Sequence, residues 1–485
     1  MGSDGGMTAY ERRRLENIKR NEEMLAALNV HSRLKDLSGV GADRKRAQSK
    51  SYKRSPVKKP KVETPVVLRR SLRTRGVPPD ASTAGGLHDD FNDEKQIKKI
   101  PQLKSEKSFP EPKPIAMKDA YMGNDASDQK LIETINQCAN EVKKSEGESS
   151  YCDSIHNLEK RKGFEVSVES FELKPENVAR LVPGRIMSVR FFPTINMQMV
   201  VAGNKYGNIG LWNVNGGEGD SDGIYLYHPH PAPISGIAID RCSINKMYTS
   251  CYDGFIRLMD VEREIFDLIY SSESTIYSMS LGLHNTKALY LGEGKGGIKA
   301  LDLRAGKPLL TCDAHGDRIN TIDFTSKNDN IMATGSTDGT ASIWDLRCLN
   351  ANKPTPLGTV AHKRAVHSAY FSPSGKFLAT TSLDDNVGLA SGANYEDVSM
   401  VHHNNQTGRW ISTFRGIWGW DDSAIFIGNM KRGVDVISVA GRKTVATLES
   451  DLVSAIPSRF DAHPCSIGTL AGATAGGQVY IWTQS

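Results

Sequence analysis

The sequence predicts an all-β, seven-bladed β-propeller that follows a basic N-terminal region. Three observations support this fold: a strand–turn–strand unit, its repetition along the chain, and a similar turn in most of the repeats. The clearest unit is Ile331–Arg347 (IMATGSTDGTASIWDLR), in which two apolar, β-prone segments flank Ser336–Gly339. Asp and Gly favour a tight turn there, because Asp bonds its own backbone and Gly accepts a positive φ. A lone hairpin is marginally stable in water, so this unit must pack against others.

The unit occurs seven times. The second apolar segment of each copy can be aligned on one residue, and these residues are Trp212, Met259, Leu301, Trp344, Ala390, Ile437 and Trp482. Successive positions are 42 to 47 residues apart. A period in the low-to-mid forties with strand–turn–strand content is typical of four-stranded propeller blades, so seven copies predict seven blades.

We expect the last repeat to lack an outer strand of its own, because three residues follow Trp482. The alternating segment Phe164–Val168 precedes the first repeat. We expect this segment to supply the missing strand, close the ring and remove an exposed sheet edge.

Three regions precede the predicted propeller at 163–485. Residues 1–30 contain a predicted helix over 8–30, which is either a partly formed solvated helix or a docking helix for a partner. Residues 31–127 lack apolar periodicity, so we predict a disordered linker. Residues 128–162 begin with a predicted helix over 128–143, which packs on the propeller edge or on a partner.

Positive charge is concentrated in the linker. Residues 44–75 hold 13 Lys and Arg and one acid, a net +12 against +5 for the whole chain, so the remainder carries −7. Three basic clusters lie in this stretch, at 44–46, 53–61 and 69–75. The middle cluster has the spacing of a nuclear localisation signal, formed by Lys53, Arg54, Lys58, Lys59 and Lys61. We therefore predict a nuclear protein, and a basic solvated linker is the alternative interpretation.

Several function classes find no support in the sequence. There is no run of about 18 apolar residues and no CxxC pair among the seven cysteines. We expect no secretory signal, because residues 1–14 lack an apolar core. His315, Ser336 and Asp338 are residue types found in hydrolases, but with Trp344 they match a hydrogen-bonded network that stabilises propeller blades. We expect no catalysis, no metal, no cofactor, no small-molecule substrate and no membrane partner.

Basic residues recur at two places that a propeller brings to one face, namely the loops before the first strands and the turns between second and third strands. We predict that this face binds DNA phosphates. Its predicted contacts are Arg185, Lys205, Lys295, Arg318, Lys363 and Arg364.

The loop between blades five and six (401–420) holds three of the six tryptophans. We interpret Gln406–Trp410 as a hairpin tip on the same face. Gln406, Arg409 and Trp410 combine an amide, a guanidinium and an indole, which suit stacking on bases and bonding to phosphates. The alternative is a loop that packs on its own blade.

Three segments together resemble the nuclear WD-repeat-containing protein 76 family: Tyr10–Leu28, VPGRIMSVRFFP at 182–193, and NNQTGRW at 404–410. The yeast "changed mutation rate" protein belongs to this group, which is related to the propeller subunit of the UV-damaged-DNA-binding complex. The resemblance implies a WD-repeat propeller that binds DNA through the face described above. It places Arg185, Lys205 and Arg318 at phosphate-contacting positions and Gln406–Trp410 near an inserted hairpin. That subunit's wedge residues are not matched here, so the resemblance implies DNA binding rather than lesion flipping.

The opening unit, Ile331–Arg347, also resembles the box by which propellers dock onto the adaptor of a cullin–RING ubiquitin ligase. The resemblance implies docking through Asp338, Trp344, Asp345 and Arg347, with Arg304 in a degenerate second copy. We therefore expect a nuclear DNA- and chromatin-binding protein of the DNA damage response, with a ligase substrate receptor as an added hypothesis. The alternative is a protein-interaction scaffold that binds histones or chaperones without propeller–DNA contact.

Overall fold

The computed structural model describes Lys19 and residues 113–123, 125–145, 168–216, 222–240, 242–282, 288–349, 354–408 and 410–484. The helix over 8–30, the basic clusters with the localisation residues, most of Phe164–Val168, and Arg409 lie outside these residues. Within the described residues no helix is long and apolar enough to cross a membrane.

The described residues contain seven antiparallel sheets, each with four strands of a blade. Blade one consists of β3 to β6, which are Ile186–Phe191, Met199–Asn204, Ile209–Asn213 and Ile224–Tyr227. Blade two consists of β7 to β10, which are Ile234–Ile239, Lys246–Cys251, Phe255–Asp260 and Ile265–Ser271. Blade three consists of β11 to β14, which are Ile276–Leu281, Ala288–Glu293, Gly297–Asp302 and Lys307–Asp313.

The remaining blades follow the same order from the inner to the outer strand. Blade four consists of β15 to β18, which are Ile319–Phe324, Ile331–Ser336, Thr340–Asp345 and Gly358–Ala361. Blade five consists of β19 to β22, which are Val366–Phe371, Leu378–Ser382, Asn386–Ser391 and Asp397–His402. Blade six consists of β23 to β26, which are Ile417–Trp418, Ala424–Gly428, Val434–Ser438 and Lys443–Leu448. Blade seven contains β27 to β29, which are Pro457–Ala462, Thr469–Thr474 and Gln478–Gln484.

The predicted seven-bladed propeller is confirmed. All seven aligned repeat positions fall in the third strand of their blade and are at most 3% exposed. These strands lie between two neighbours in a sheet and beneath the adjacent blades, which explains their continuous apolar character. Apolar clusters fill the spaces between blades, as between blades seven and one around Ile186 and Ile481.

The ring closes as predicted, but through a different segment. The strand β2, Phe171–Arg180, pairs with β29 as the outer strand of blade seven. The choice of Phe164–Val168 is wrong, since Val168 already lies in a 3-10 turn before this strand. The β2–β29 register shifts between Leu173 and Val178, and this irregularity hides the alternation in the sequence.

A segment before the propeller packs on blades one and two. The strand β1 (Ile115–Ala116) pairs with β10 as a fifth strand, and helix α1 (Met117–Ala120) follows. Helix α2 (Asp125–Ser145) buries Leu131 and Ile135 in a cluster with blades one and two. The helix predicted over 128–143 is therefore confirmed, and it lies on the propeller edge. The predicted disorder through residue 127 is wrong for 113–123, because two-residue strands leave no periodic pattern to read.

The predicted hydrogen-bonded network in blade four is present, with one correction. The chain of bonds runs from Trp344 Nε1 to Thr334 Oγ1 (2.7 Å), from Thr334 to His315 Nε2 (2.6 Å), and from His315 Nδ1 to Asp338 (2.9 Å). Thr334 therefore occupies the place expected for Ser336, which instead donates to the Asp317 carbonyl (3.0 Å). Burial lowers the pKa of His315, so the ring is neutral: Nδ1 donates to Asp338 and Nε2 accepts from Thr334.

Candidate nucleic-acid interface

A β-bulge recurs at the start of the inner strand in six of the seven blades that the structure describes. In each, the register shifts between the first and third residues, as between Ile186 and Ser188 in blade one. Blade six differs because its inner strand has only two residues. A bulge leaves one residue unpaired and redirects its side chain. The bulged residues of blades one to five line a cavity in the central channel; they are Met187, Ser235, Tyr277, Asn320 and His367.

This cavity, which we call the channel mouth, has a volume of about 440 Å³. It lies at the end where the first strands begin. Three predicted cations, Arg185, Arg318 and Arg364, line it, together with Arg415 and Arg459, which the sequence patterns did not indicate. No acidic side chain belongs to the described lining. The structure thus brings half of the predicted phosphate contacts to one cavity and adds two guanidinium groups.

The arginines are held by neutral oxygens and aromatic rings. Arg318 donates from Nε to Thr337 Oγ1 (2.9 Å), and its guanidinium carbon lies 5.1 Å from the centre of the Tyr277 ring. Arg415 donates to the Asn320 carbonyl (3.0 Å), and Arg459 donates to the carbonyls of Met187 (2.9 Å) and Thr413 (2.5 Å). Each bond orients a positive group without neutralising it.

The electrostatic result is a positive, desolvated channel mouth. Burial, assisted by the positive charges of Arg415, Arg459 and Arg318, lowers the pKa of His367 to about 3. Burial and the neighbouring Arg415 likewise lower the pKa of Arg459 to about 9. The part of both shifts that comes from neighbouring arginines shows that the site disfavours a further cation.

The loop over 403–416 corrects the hairpin prediction. β22 ends at His402 and β23 begins at Ile417, and the described residues between them form no strand. The loop instead crosses the channel mouth: Ser412 donates to the Ile186 carbonyl of blade one (3.2 Å), and Arg415 reaches blade four. A loop with partners on opposite sides of the ring cannot fold onto its own blade alone.

The two described ends of the predicted tip behave differently. The Gln406 amide donates to the Leu383 carbonyl (2.6 Å) and to Asp385 (3.2 Å), so its nitrogen is held by blade five. Trp410 is 85% exposed, the most exposed large apolar side chain among the described residues. An indole left in water beside a positive cavity is available for stacking on a base.

The predicted lysines lie around the channel mouth rather than in its lining. Lys295 and Lys363 are exposed, and Lys205 lies 4.6 Å from the centre of the exposed Tyr206 ring. The corresponding turn of blade six adds exposed Lys431 and Arg432, which the sequence patterns did not indicate. Arg432 has a φ of +72°, at a turn where blade one uses Gly207 (φ +88°). The basic side chain there replaces the usual glycine, so a search for Gly-containing turns overlooks it.

Comparisons with known proteins agree with the fold, and the similarity to full-length relatives covers nearly the whole chain. A family model described as "WD domain, G-beta repeat" matches residues 306–345 and 354–389. A protein of Xenopus laevis named "WD repeat-containing protein 76" is 26% identical over 98% of this chain and 80% of its own length. The Kluyveromyces lactis protein "DNA damage-binding protein CMR1" is 26% identical over 99% of this chain and 100% of its own. The mouse "WD repeat-containing protein 76" is 24% identical over 98% of this chain and 74% of its own.

Over nearly its full length the chain is similar to proteins named WD repeat-containing protein 76 and DNA damage-binding protein CMR1.

The predicted adaptor-docking residues occupy two environments. Trp344 is 2% exposed and stabilises blade four from within. The other residues lie nearer the surface: Asp338, in the exposed turn, accepts from His315. Arg347 Nε and Nη2 form a bidentate ion pair with the Asp345 carboxylate (2.9 and 2.6 Å). The side chains of Arg347 and Arg304 are 68% and 69% exposed.

The propeller places Asp345 and Arg347 on the face opposite the channel mouth. Asp345 ends the third strand of blade four, opposite Ile331, which begins the second strand. That end of the blade is where the inner strand ends at Phe324, whereas the channel mouth is where it begins at Ile319. Arg347 and the predicted DNA contacts therefore lie on separate surfaces.

The opposite end of the channel has a different charge pattern. A cavity of about 320 Å³ there is lined by Arg190, Asp323 and Asp461 as its charged side chains. Arg190 pairs with Asp461 (2.9 Å) and so has a counter-charge, whereas no acidic side chain lines the described channel mouth. The asymmetry favours anion binding at one end of the propeller.

Proposed function

We propose that the protein is a nuclear DNA- and chromatin-binding WD-repeat protein that acts in the response to DNA damage. The contact surface is the channel mouth with the surrounding residues Lys205, Lys295 and Lys363. The wording of the relatives' names, "DNA damage-binding protein", supports the damage-related role.

The observation that carries the proposal is the convergence of positive charge at one end of the propeller. Five arginines and no acid line the described cavity, and exposed lysines surround it. Phosphate contacts dominate the affinity of proteins for DNA, and Arg presents a planar set of donors that suits a phosphate. The exposed Trp410 adds a stacking group at the same end.

The test is duplex binding by the full-length protein, measured by fluorescence anisotropy across a salt series. A variant with Lys205, Lys295 and Lys363 changed to Gln should bind more weakly. The slope of log K against log salt should become shallower by about 0.9 for each phosphate that the variant no longer neutralises. The matched control changes three exposed lysines on the opposite face to Gln, namely Lys327, Lys376 and Lys443. Equal affinities and slopes for the two triple variants would remove the proposal.

The same experiment separates the alternative scaffold function. If histones are the partner and DNA touches only the N-terminal clusters, affinity should fall when Lys58, Lys59 and Lys61 are changed to Gln. The variant of the channel-mouth lysines should then bind DNA as the wild type does. A fluorescent fusion tests the nuclear assignment, because the same three substitutions should shift it towards the cytoplasm.

We also propose that the face carrying Arg347 docks the adaptor of a cullin–RING ubiquitin ligase, which would make the protein a substrate receptor. The support is geometric: Arg347 and Arg304 are exposed on the face that DNA binding leaves free. An exposed guanidinium suits an acidic partner surface, after exchange of its internal Asp345 pair for an intermolecular one. Co-purification with the adaptor, compared between the wild type and an Arg347→Asp variant, tests the proposal.

A further inference from the structure

We propose that the channel mouth is a binding site for an anion that carries several phosphate groups, held by Arg415 and Arg459 together with Arg318, Arg364 and His367. This inference rests on the proposed function and deepens it, since Arg415, Arg459 and His367 are lining residues that the sequence patterns did not indicate.

Three arginines of the cavity have no acidic partner among the residues that the structure describes. The hydrogen bonds of Arg318, Arg415 and Arg459 in the described structure end on carbonyl and hydroxyl oxygens. Arg459 is 6% exposed, so water screens it poorly. A buried charge that lacks an opposite charge is costly for the fold. An anion in the cavity would remove that cost for several guanidinium groups at once.

Unused hydrogen-bonding capacity is also directed at the cavity. Among the described residues, His367 Nε2 and Arg415 Nε are buried and have no hydrogen-bond partner. His367 is 5% exposed and is the bulged residue of blade five, so its ring is directed to the channel mouth. Buried polar atoms are normally satisfied, so two unsatisfied atoms in the lining of one cavity support a ligand there.

The size of the cavity suits a small polyanion. A volume of about 440 Å³ lies in the range of small-ligand pockets, roughly 300–1,000 Å³. It exceeds the space of a single ion and suits a group with two or more phosphates. That group has two sources, a soluble polyphosphorylated molecule or the backbone of bound DNA, and both present the same chemistry to the arginines.

The experiment titrates full-length protein with sodium tripolyphosphate by isothermal calorimetry at constant ionic strength. We expect binding by the wild type and at least tenfold weaker binding by Arg415→Gln, which corresponds to about 1.4 kcal/mol. Arg263→Gln, on the opposite face in the turn between β9 and β10, is the matched control and should bind as the wild type does. The proposal is overturned if tripolyphosphate does not bind, or if Arg415→Gln binds it as tightly as Arg263→Gln.

A second variant protects the test against misfolding, because Arg415 also ties the loop over 403–416 to blade four. Arg364 is exposed, and its side chain makes no hydrogen bond in the described structure, so Arg364→Gln should keep the thermal unfolding midpoint. It should still weaken tripolyphosphate binding by about threefold or more, and an unchanged affinity would count against the site.

Competition then identifies the source of the phosphate. If a DNA duplex displaces tripolyphosphate, the channel mouth receives the DNA backbone; if both bind together, the site receives a soluble anion, and either result supports the proposal. The Lys205, Lys295 and Lys363 variant keeps the two proposals apart. It should lose duplex affinity while retaining tripolyphosphate affinity.

Discussion

The network in blade four allows a quantitative prediction from one substitution. Thr334→Val keeps the shape of the side chain and removes the hydroxyl that joins Trp344 to His315. The Trp344 N–H loses its acceptor and His315 Nε2 loses its donor, while both side chains stay buried at about 2% exposure. Each unsatisfied buried group costs about 1–3 kcal/mol, so blade four should lose roughly 2–6 kcal/mol of local stability.

Hydrogen exchange of the backbone amides in β16 and β17 measures this loss, because exchange there reports the free energy of opening the blade. A loss of 2 kcal/mol accelerates exchange about thirtyfold, since each 1.4 kcal/mol is a factor of ten. Thr359→Val, at an exposed position of the outer strand of the same blade, is the control and should change exchange little. The reasoning is refuted if the two variants exchange within about twofold of each other.

Three further predictions concern pH, the packed helix and the opposite face. Burial lowers the pKa of His230 and His367 to about 3 and of His463 to about 4, so each ring is neutral when folded and takes up a proton on unfolding below about pH 6.5. The free energy of unfolding should therefore fall as pH drops from 7 to 5. Below pH 6.5 the fall should be about 1.4 kcal/mol per pH unit for each histidine. Urea midpoints that stay constant over this range would contradict the conclusion that these histidines are neutral in the folded protein. Tyr227→Phe removes the hydrogen bond to Asp128 and should speed amide exchange in α2 while blade five is unchanged; equal acceleration in both would show that the substitution acts globally. Arg347→Asp should abolish co-purification with the ligase adaptor and leave duplex affinity within about twofold, and joint loss of both would show that the two faces are not separate.

The sequence predicted the blades well because their signal is repetitive. Seven buried third strands have to satisfy the same packing requirement, and they therefore show the same pattern every 42 to 47 residues. The prediction of an N-terminal strand that closes the ring was right, but the predicted residues were wrong. The reason is that the β2–β29 register breaks between Leu173 and Val178, so the strand shows no simple alternation. The fifth strand of blade two escaped prediction because it has only two residues.

The candidate site was predicted less completely, for a reason that lies in the β-bulge. Arg185 and Arg318 immediately precede inner strands, so their face follows from the fold alone. His367 lies inside an inner strand, where the bulge turns a residue that simple alternation would assign to a blade interface. Arg415 belongs to a loop that crosses the channel, and no local pattern predicts that path. Inner strands of several blades begin with an apolar residue, a variable residue and a small residue, in that order. This repeated order indicates that the side chain of the variable residue faces the channel.

The most direct test of the central claim is site-specific photocrosslinking of the full-length protein to a DNA duplex. A photoreactive phenylalanine analogue replaces Tyr206 or Trp410 at the channel-mouth end, or Leu357 in the outer part of blade four near Ile331 on the opposite face. All three side chains are at least 44% exposed, so the positions differ in location rather than accessibility. Crosslinks from Tyr206 and Trp410, with none from Leu357, are the predicted result. Crosslinks from Leu357 alone, or equal yields from all three positions, would contradict DNA binding at the channel mouth.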